Sequence, residues 1–238
     1  MVYTPADKRK NIDKADTMIV AIDGPAGSGK STTAKLVGMK MNFLYIDTGA
    51  MYRAITVKVK RSGVGYEDAG GICSLLPDTV IDQKIDEVSG DTKTFLDNKD
   101  VSLEIRDPEI TRGVTGVCEI KEVREKLVSL QREMGKRKNV ILDGRDIGTV
   151  VFPDADLKFF MVADIDIRAE RRLAELKEKG MVTSLEDVKK DIMRRDKRDS
   201  SRSNSPLRPA EDSILIDTGN LTIEEQAEII ISHIKKMS

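Results

Sequence analysis

Five short runs of β-branched and other apolar residues recur along the chain, at 18–22, 44–46, 140–142, 157–162 and 214–216. They are continuous rather than alternating, the pattern of strands covered on both faces. Stretches with helical spacing lie between them, at 30–41, 50–61, 110–136, 165–179, 184–196 and 222–235. Strands that alternate with helices predict an α/β fold built on a doubly wound, five-stranded parallel sheet. The last helix opens on Thr222 with Glu225 three residues on, a capping box, and Ile223, Ala227, Ile230, Ile231 and Ile234 form its apolar stripe. From 63 to 108 the pattern changes to Gly-rich turns and short alternating runs at 80–85 and 94–103, around Asp97-Asn98-Lys99-Asp100. That stretch predicts a small β-rich insertion.

Length changes this picture little: 238 residues suit one α/β core with a sizeable insertion. Residues 1–17 are polar and charged, lack the apolar stretch of a signal peptide, and read as a flexible leader. No run is long and apolar enough to cross a bilayer, so a cytoplasmic protein without a membrane partner is expected. The 40 basic and 41 acidic residues nearly cancel, which gives no global attraction to nucleic acid or anionic lipid. Aromatic residues make up 4% of the chain and Trp is absent, leaving few surfaces on which bases could stack. Cys73 and Cys118 lack a CxxC partner, and the one histidine, His233, sits in an Ile-rich helical pattern. Neither a zinc site, a disulfide framework nor a His-based triad is signalled.

Candidate chemistry begins at Gly24-Pro25-Ala26-Gly27-Ser28-Gly29-Lys30-Ser31, which satisfies G-x-x-x-x-G-K-[ST] directly after a predicted strand and at the opening of a helix. Glycines let such a loop wrap so that backbone N–H groups and the helix N-terminus face phosphates. Lys30 is placed to reach the β and γ oxygens and Ser31 to ligate Mg²⁺. The loop does not say whether the phosphoryl group goes to water, a protein or a small acceptor.

Three further clusters fall at or after predicted elements that share the mouth of such a sheet. Asp47-Thr48-Gly49-Ala50-Met51-Tyr52-Arg53 follows the second strand, with its arginine one turn into a helix. Asp143-Gly144-Arg145-Asp146 follows the third; Asp143 ends an apolar run as a Walker-B carboxylate does and suits the Mg²⁺ shell, and Arg145 offers a planar fork for phosphate. The run from Arg194 through Arg195, Asp196, Lys197, Arg198 and Asp199 to Arg202 is read as following a helix and leading into the Pro206 and Pro209 segment. Transfer between two polyanions needs cations that a lid can bring in while excluding water.

With IDGPAGSGKSTTAKL, YIDTGAMYRA, DVSLEIR, ILDGRDIGTVVFPDADLKFF, RAERR and RDKRDSSR in this order, the chain from Ile19 onward resembles the bacterial cytidylate kinases, the CMP/dCMP kinases of the nucleoside monophosphate kinase group. The resemblance implies a CORE at 18–62 and 109–238, a short helical LID at about 168–195, and an NMP-binding insertion at 63–108. It implies ATP and CMP or dCMP as substrates, Mg²⁺ as cofactor held with Ser31 and Asp143, and a monomer with no nucleic-acid partner. Lys30, Arg53, Arg145 and Arg195 carry the catalytic role in this reading. Gly24 to Ser31 with Thr32 and Arg168 bind ATP and its phosphates. Thr48, Tyr52, Arg53, Thr115, Arg124, Arg145, Asp146, Arg195, Asp199 and Arg202 form the CMP pocket.

Cytosine offers an N4 donor, which a carboxylate accepts, and O2 and N3 acceptors, which an arginine satisfies; Asp146 with Arg124 or Arg202 supplies both kinds. Kinases of UMP, AMP, GMP or shikimate, a GTPase-like switch and a nucleic-acid module are the competing readings. The guanine-reading Asn-Lys-x-Asp is missing, since Asn98-Lys99 is followed by Asp100-Val101, and Asp196 and Asp199 interrupt the basic run. The chain departs from the family pattern in its charged leader and in Asp97-Asn98-Lys99-Asp100, where relatives often carry a hairpin glycine.

Overall fold

The computed structural model describes residues 17–86, 90–136, 138–178, 180–202 and 204–237, so the leader up to residue 16 lies outside the described residues. Along the chain run β1 (Ile19–Asp23), α1 (Lys30–Met41), β2 (Leu44–Asp47), α2 (Thr48–Arg61), α3 (Ala69–Leu75), β3 (Ile81–Ile85), β4 (Thr92–Leu96) and β5 (Lys99–Asp100). They are followed by α4 (Pro108–Val117), α5 (Lys121–Gly135), β6 (Val140–Gly144), β7 (Leu157–Val162), α6 (Ile165–Glu178), α7 (Leu185–Ser201), β8 (Ile214–Asp217) and α8 (Ile223–Met237).

The main sheet has the order β2-β6-β1-β7-β8 with every pair parallel. Its continuous apolar runs have a direct cause, because alternate side chains enter two different apolar layers. Ala21, Ile46, Val140 and Leu142 pack with Met51, Ala54 and Ile55 of α2 and Val123 and Leu127 of α5. Val20, Ile22, Ile141, Phe159 and Met161 pack on the other face with Ala34 and Val37 of α1 and Ala227, Ile230 and Ile234 of α8. The capping box of α8 forms as expected: Thr222 N donates to Glu225 Oε2 at 2.8 Å and Glu225 N to Thr222 Oγ1 at 3.2 Å. His233 lies edge-on to Phe159 at 5.7 Å between centroids, a packing contact.

The structure corrects three expectations. The single helix over 110–136 is two, α4 and α5, because the chain turns at Cys118, whose amide closes α4 on Val114 O, and restarts after Ile120. Apolar spacing runs unbroken through that corner, so periodicity alone joins the two. The Arg194-to-Arg202 run does not follow a helix: α7, capped by Ser184 accepting from Asp187 N at 3.1 Å, continues to Ser201 and carries most of it. The insertion holds a helix, α3, started by Asp68 accepting from Gly71 N at 2.9 Å, beside the three-stranded antiparallel sheet β3-β4-β5. The expected hairpin turn falls between β4 and β5, where Asp97 and Asn98 adopt positive φ of 49° and 64°. Asp and Asn tolerate that left-handed pair without glycine.

Candidate active site

β1 delivers the chain into the phosphate loop, and two glycines make its path possible. A Cβ on Gly24 would lie 2.2 Å from the Met161 carbonyl oxygen on β7. Gly29 caps α1 in the left-handed region at φ 86°. Lys30 is buried, and its Nζ donates to Pro25 O across the loop at 3.0 Å. Burial, with the nearby Arg145 cation, pulls its pKa down to about 7. Such an ammonium gains most when a phosphate arrives to neutralise it.

Two distant segments brace the loop. Thr218, after β8, donates to Ser28 O at 2.9 Å, and Gln226 of α8 accepts from Thr33 Oγ1 at 2.7 Å. Arg168 of α6 holds Ala26 O at 3.1 Å and Asp196 of α7 at 2.6 Å, so one guanidinium ties the loop to both helices of the α6–α7 pair. Thr32 is exposed on the first turn of α1.

Parallel pairing puts Asp47 in register with Asp143, and the ends of β2 and β6 form the second wall. Asp143 accepts from Ser31 Oγ at 2.6 Å and from Tyr45 OH at 2.7 Å, while Thr48 Oγ1 donates to Asp143 O at 2.7 Å. Burial and the Asp143 charge raise the Tyr45 pKa, which keeps the phenol a donor. Arg53 reaches back along α2 to Asp47, Nη2 to Oδ2, at 3.4 Å.

The third wall is built around Asp146. Arg124 of α5 pairs with it through Nη2, both groups buried, and the guanidinium lies 5.8 Å from the centre of the Tyr52 ring. Arg145 Nε and Arg202 Nη2 share the two oxygens of Asp199 at 2.7 and 2.8 Å. Burial alone would push the Asp199 carboxyl up, but Arg145, followed by Arg202 and Arg195, outweighs it and holds the group below its ordinary range. Arg202 Nε is buried without a partner among the described residues.

The expected residues therefore converge as three sets: Lys30, Ser31 and Thr48 about Asp143; Tyr52 and Arg124 about Asp146; Arg145 and Arg202 about Asp199. Arg195 is exposed on α7, close enough to Lys30, Arg145 and Asp199 to act on them electrostatically, and makes no ion pair among the described residues. Thr115 does not stand free toward the pocket, because Arg198 Nη1 donates to its Oγ1 at 3.1 Å. Sequence reasoning gave no role to Tyr45, Thr218 and Gln226, and named Asp196 and Arg198 within the basic run without their partners Arg168 and Thr115. It also missed Asp23, whose signal was a carboxylate at the end of an apolar strand.

Asp23 is buried and accepts from Ile147 N and Gly148 N, each at 2.8 Å, holding the π turn Ile147–Val151 that follows Asp146. Burial raises its pKa to about 6 despite those two bonds. The folded state thus binds the proton more tightly than the unfolded one. This contribution to stability is complete below about pH 4 and is lost as pH rises through about 6, on the order of 3 kcal/mol. Relative to Asp23→Asn, the wild type is expected to lose stability across that window; parallel urea titrations at each pH read the difference, and parallel profiles would remove the assignment.

A phosphate loop, a Walker-type carboxylate at a neighbouring strand end and an arginine-lined mouth on a parallel sheet define a P-loop kinase. The cytidylate kinase family model matches residues 20–236. Cytidylate kinases of Lactobacillus johnsonii and Caldanaerobacter subterraneus subsp. tengcongensis are 48% and 50% identical to this chain, each over 92% of it and over 94% and 96% of their own lengths. A solved structure of an uncharacterized protein from Eubacterium ventriosum shares the fold, with a TM-score of 0.51 at 15% identity, over 92% of this chain and 99% of that one. The chain belongs to the cytidylate kinase family.

Proposed function

We infer that this chain transfers the γ-phosphoryl group of ATP to CMP or dCMP, yielding ADP and CDP or dCDP. The observation that carries the acceptor assignment is the buried Arg124–Asp146 pair beside Tyr52, next to arginines that open on the phosphate loop. The pair offers a carboxylate for the cytosine amino group and a guanidinium for its ring acceptors, with an aromatic face alongside. Residues 63–108 act as the NMP-binding unit and the α6–α7 pair as the LID over a CORE of 18–62 and 109–238.

An oxygen of the acceptor phosphate attacks the γ-phosphorus, and the bond to the β–γ bridging oxygen breaks as ADP leaves. The acceptor is already an anion, so no general base is needed; alignment and charge neutralisation do the work. Lys30 holds the donor oxygens, Arg53 the acceptor phosphate, and Arg145 and Arg195 the charge between them. Gly24 to Ser31 and Thr32 cradle the donor, and Arg168 orders the loop under the LID.

The Ser31 hydroxyl and Asp143 carboxylate, 2.6 Å apart, are hard oxygen donors suited to Mg²⁺. Among the described residues no group of three or more His, Cys, Asp or Glu could hold a metal, which fits an ion that takes its other ligands from phosphates and water. When bound, that ion offsets charge on the transferring oxygens. The enzyme works as a cytoplasmic monomer on small molecules; no described helix is long and apolar enough to cross a membrane.

The test is ADP release from Mg-ATP with CMP, dCMP, UMP, AMP or GMP, against a control without acceptor. Turnover is expected chiefly with CMP and dCMP. UMP, which puts a carbonyl where Asp146 needs a donor, should lose about 1–3 kcal/mol of transition-state binding. Preference for another nucleotide would overturn the pocket assignment, and equal release without acceptor would make the chain an ATPase.

A further inference from the structure

We propose that Gln83, in the insertion, is a positioning residue for the acceptor phosphate, acting through Asp47 on Arg53. β2 is an edge strand of the main sheet, so among the described residues one side of its backbone has no neighbouring strand. The buried Gln83 side chain serves as that neighbour for one residue: Asp47 N donates to Gln83 Oε1 at 3.0 Å and Gln83 Nε2 donates to Asp47 O at 3.0 Å. Because Asp47 N can only donate and Asp47 O can only accept, this pair fixes which end of the amide is which, and Nε2 makes a third bond to Thr94 Oγ1 at 3.2 Å.

Asp47 is the residue on which the acceptor side turns. Its Oδ1 caps α2 by accepting from Ala50 N at 2.7 Å, and its Oδ2 receives Arg53 Nη2. Opposite it in register stands Asp143, which holds Ser31. Gln83 thus clamps the peptide whose side chain sets both the start of α2 and the direction of the arginine one turn on. Thr92 of β4 makes a second tie to the same edge, Oγ1 to Tyr45 O at 3.2 Å, but touches neither Asp47 nor Arg53. Of these two ties to the edge of β2, the one through Gln83 leads to Arg53.

This inference rests on the CMP kinase reading and predicts a selective kinetic effect. Gln83→Met removes both bonds to Asp47 at similar volume. KM for CMP is expected to rise about tenfold or more, with kcat falling because Arg53 is misdirected, while KM for ATP stays within about twofold. Thr92→Val should lower Tm without shifting KM for CMP relative to KM for ATP. Should Gln83→Met fail to fold, Gln83→Glu, which keeps an acceptor for Asp47 N but sets an oxygen against Asp47 O, reads the same ratio. An unchanged KM for CMP, an equal rise in both KM values, or the same selective rise in Thr92→Val would overturn the proposal. A wild type that ignores CMP would instead remove the functional reading beneath it.

Discussion

Lys30→Met is expected to abolish measurable turnover, a loss of about a thousandfold or more, while the protein unfolds at a Tm no lower than the wild type. The rate follows from position: Lys30 is the one cation rooted in the phosphate loop itself, directly after Gly29, and its Nζ lies against the loop backbone. The stability follows from burial. With its pKa pulled to about 7 and the unfolded value near 10.5, the side chain opposes folding at neutral and lower pH and ceases to do so as pH rises through that interval. Methionine removes that opposition at the cost of one bond to Pro25 O. ADP release and a thermal melt on the same preparation decide the matter: near-normal turnover would refute the role of the loop, and a fall in Tm of many degrees would refute the electrostatic account.

Arg124→Met should damage both folding and acceptor recognition, through separable causes. It leaves the Asp146 carboxylate buried without its cation, a situation that costs about 3–5 kcal/mol. Adding Asp146→Leu removes the stranded charge, so the double variant should recover most of the lost stability, as replaced buried ion pairs do. CMP turnover should not return with it, because both groups proposed to read cytosine are then gone. Urea unfolding and KM for CMP, measured on both variants, separate the two effects. Recovery of CMP use in the double variant would remove the pair from base recognition and leave it a packing element.

The main sheet was legible because its strands are covered on both faces and bounded by loops with recognisable chemistry. α1 begins where Gly-Lys-Ser predicts and β7 matches its apolar run. What stayed hidden was fixed by contacts between distant residues. The corner at Cys118–Ile120 contains no Gly or Pro, and beyond it Val123 and Leu127 are buried while Arg124 turns toward Asp146. The π turn at Ile147–Val151, IGTVV, carries no helix signal in its sequence; the Asp23 carboxylate draws two consecutive amides, Ile147 N and Gly148 N, toward itself. α3 was obscured by Gly70 and Gly71, poor helix formers that the Asp68 cap and the buried Ile72 override. Candidate site residues in contiguous motifs could be named from the chain alone, whereas Gln83 and Gln226 lie outside every motif, and Tyr45, though it opens YIDTGAMYRA, gave no sign of its bond to Asp143.

The brace on the phosphate loop has a consequence for biosynthesis. Gln226 stands 193 residues downstream of Thr33, and Thr218 stands 190 downstream of Ser28. A ribosome exposes the Gly-x-x-x-x-Gly-Lys sequence early, and the nascent polypeptide then carries it through almost the whole of translation without the groups that fix its shape. A chain stopped before Thr218 lacks both of these bonds, and its loop is expected to hold an anion more weakly than that of the full chain.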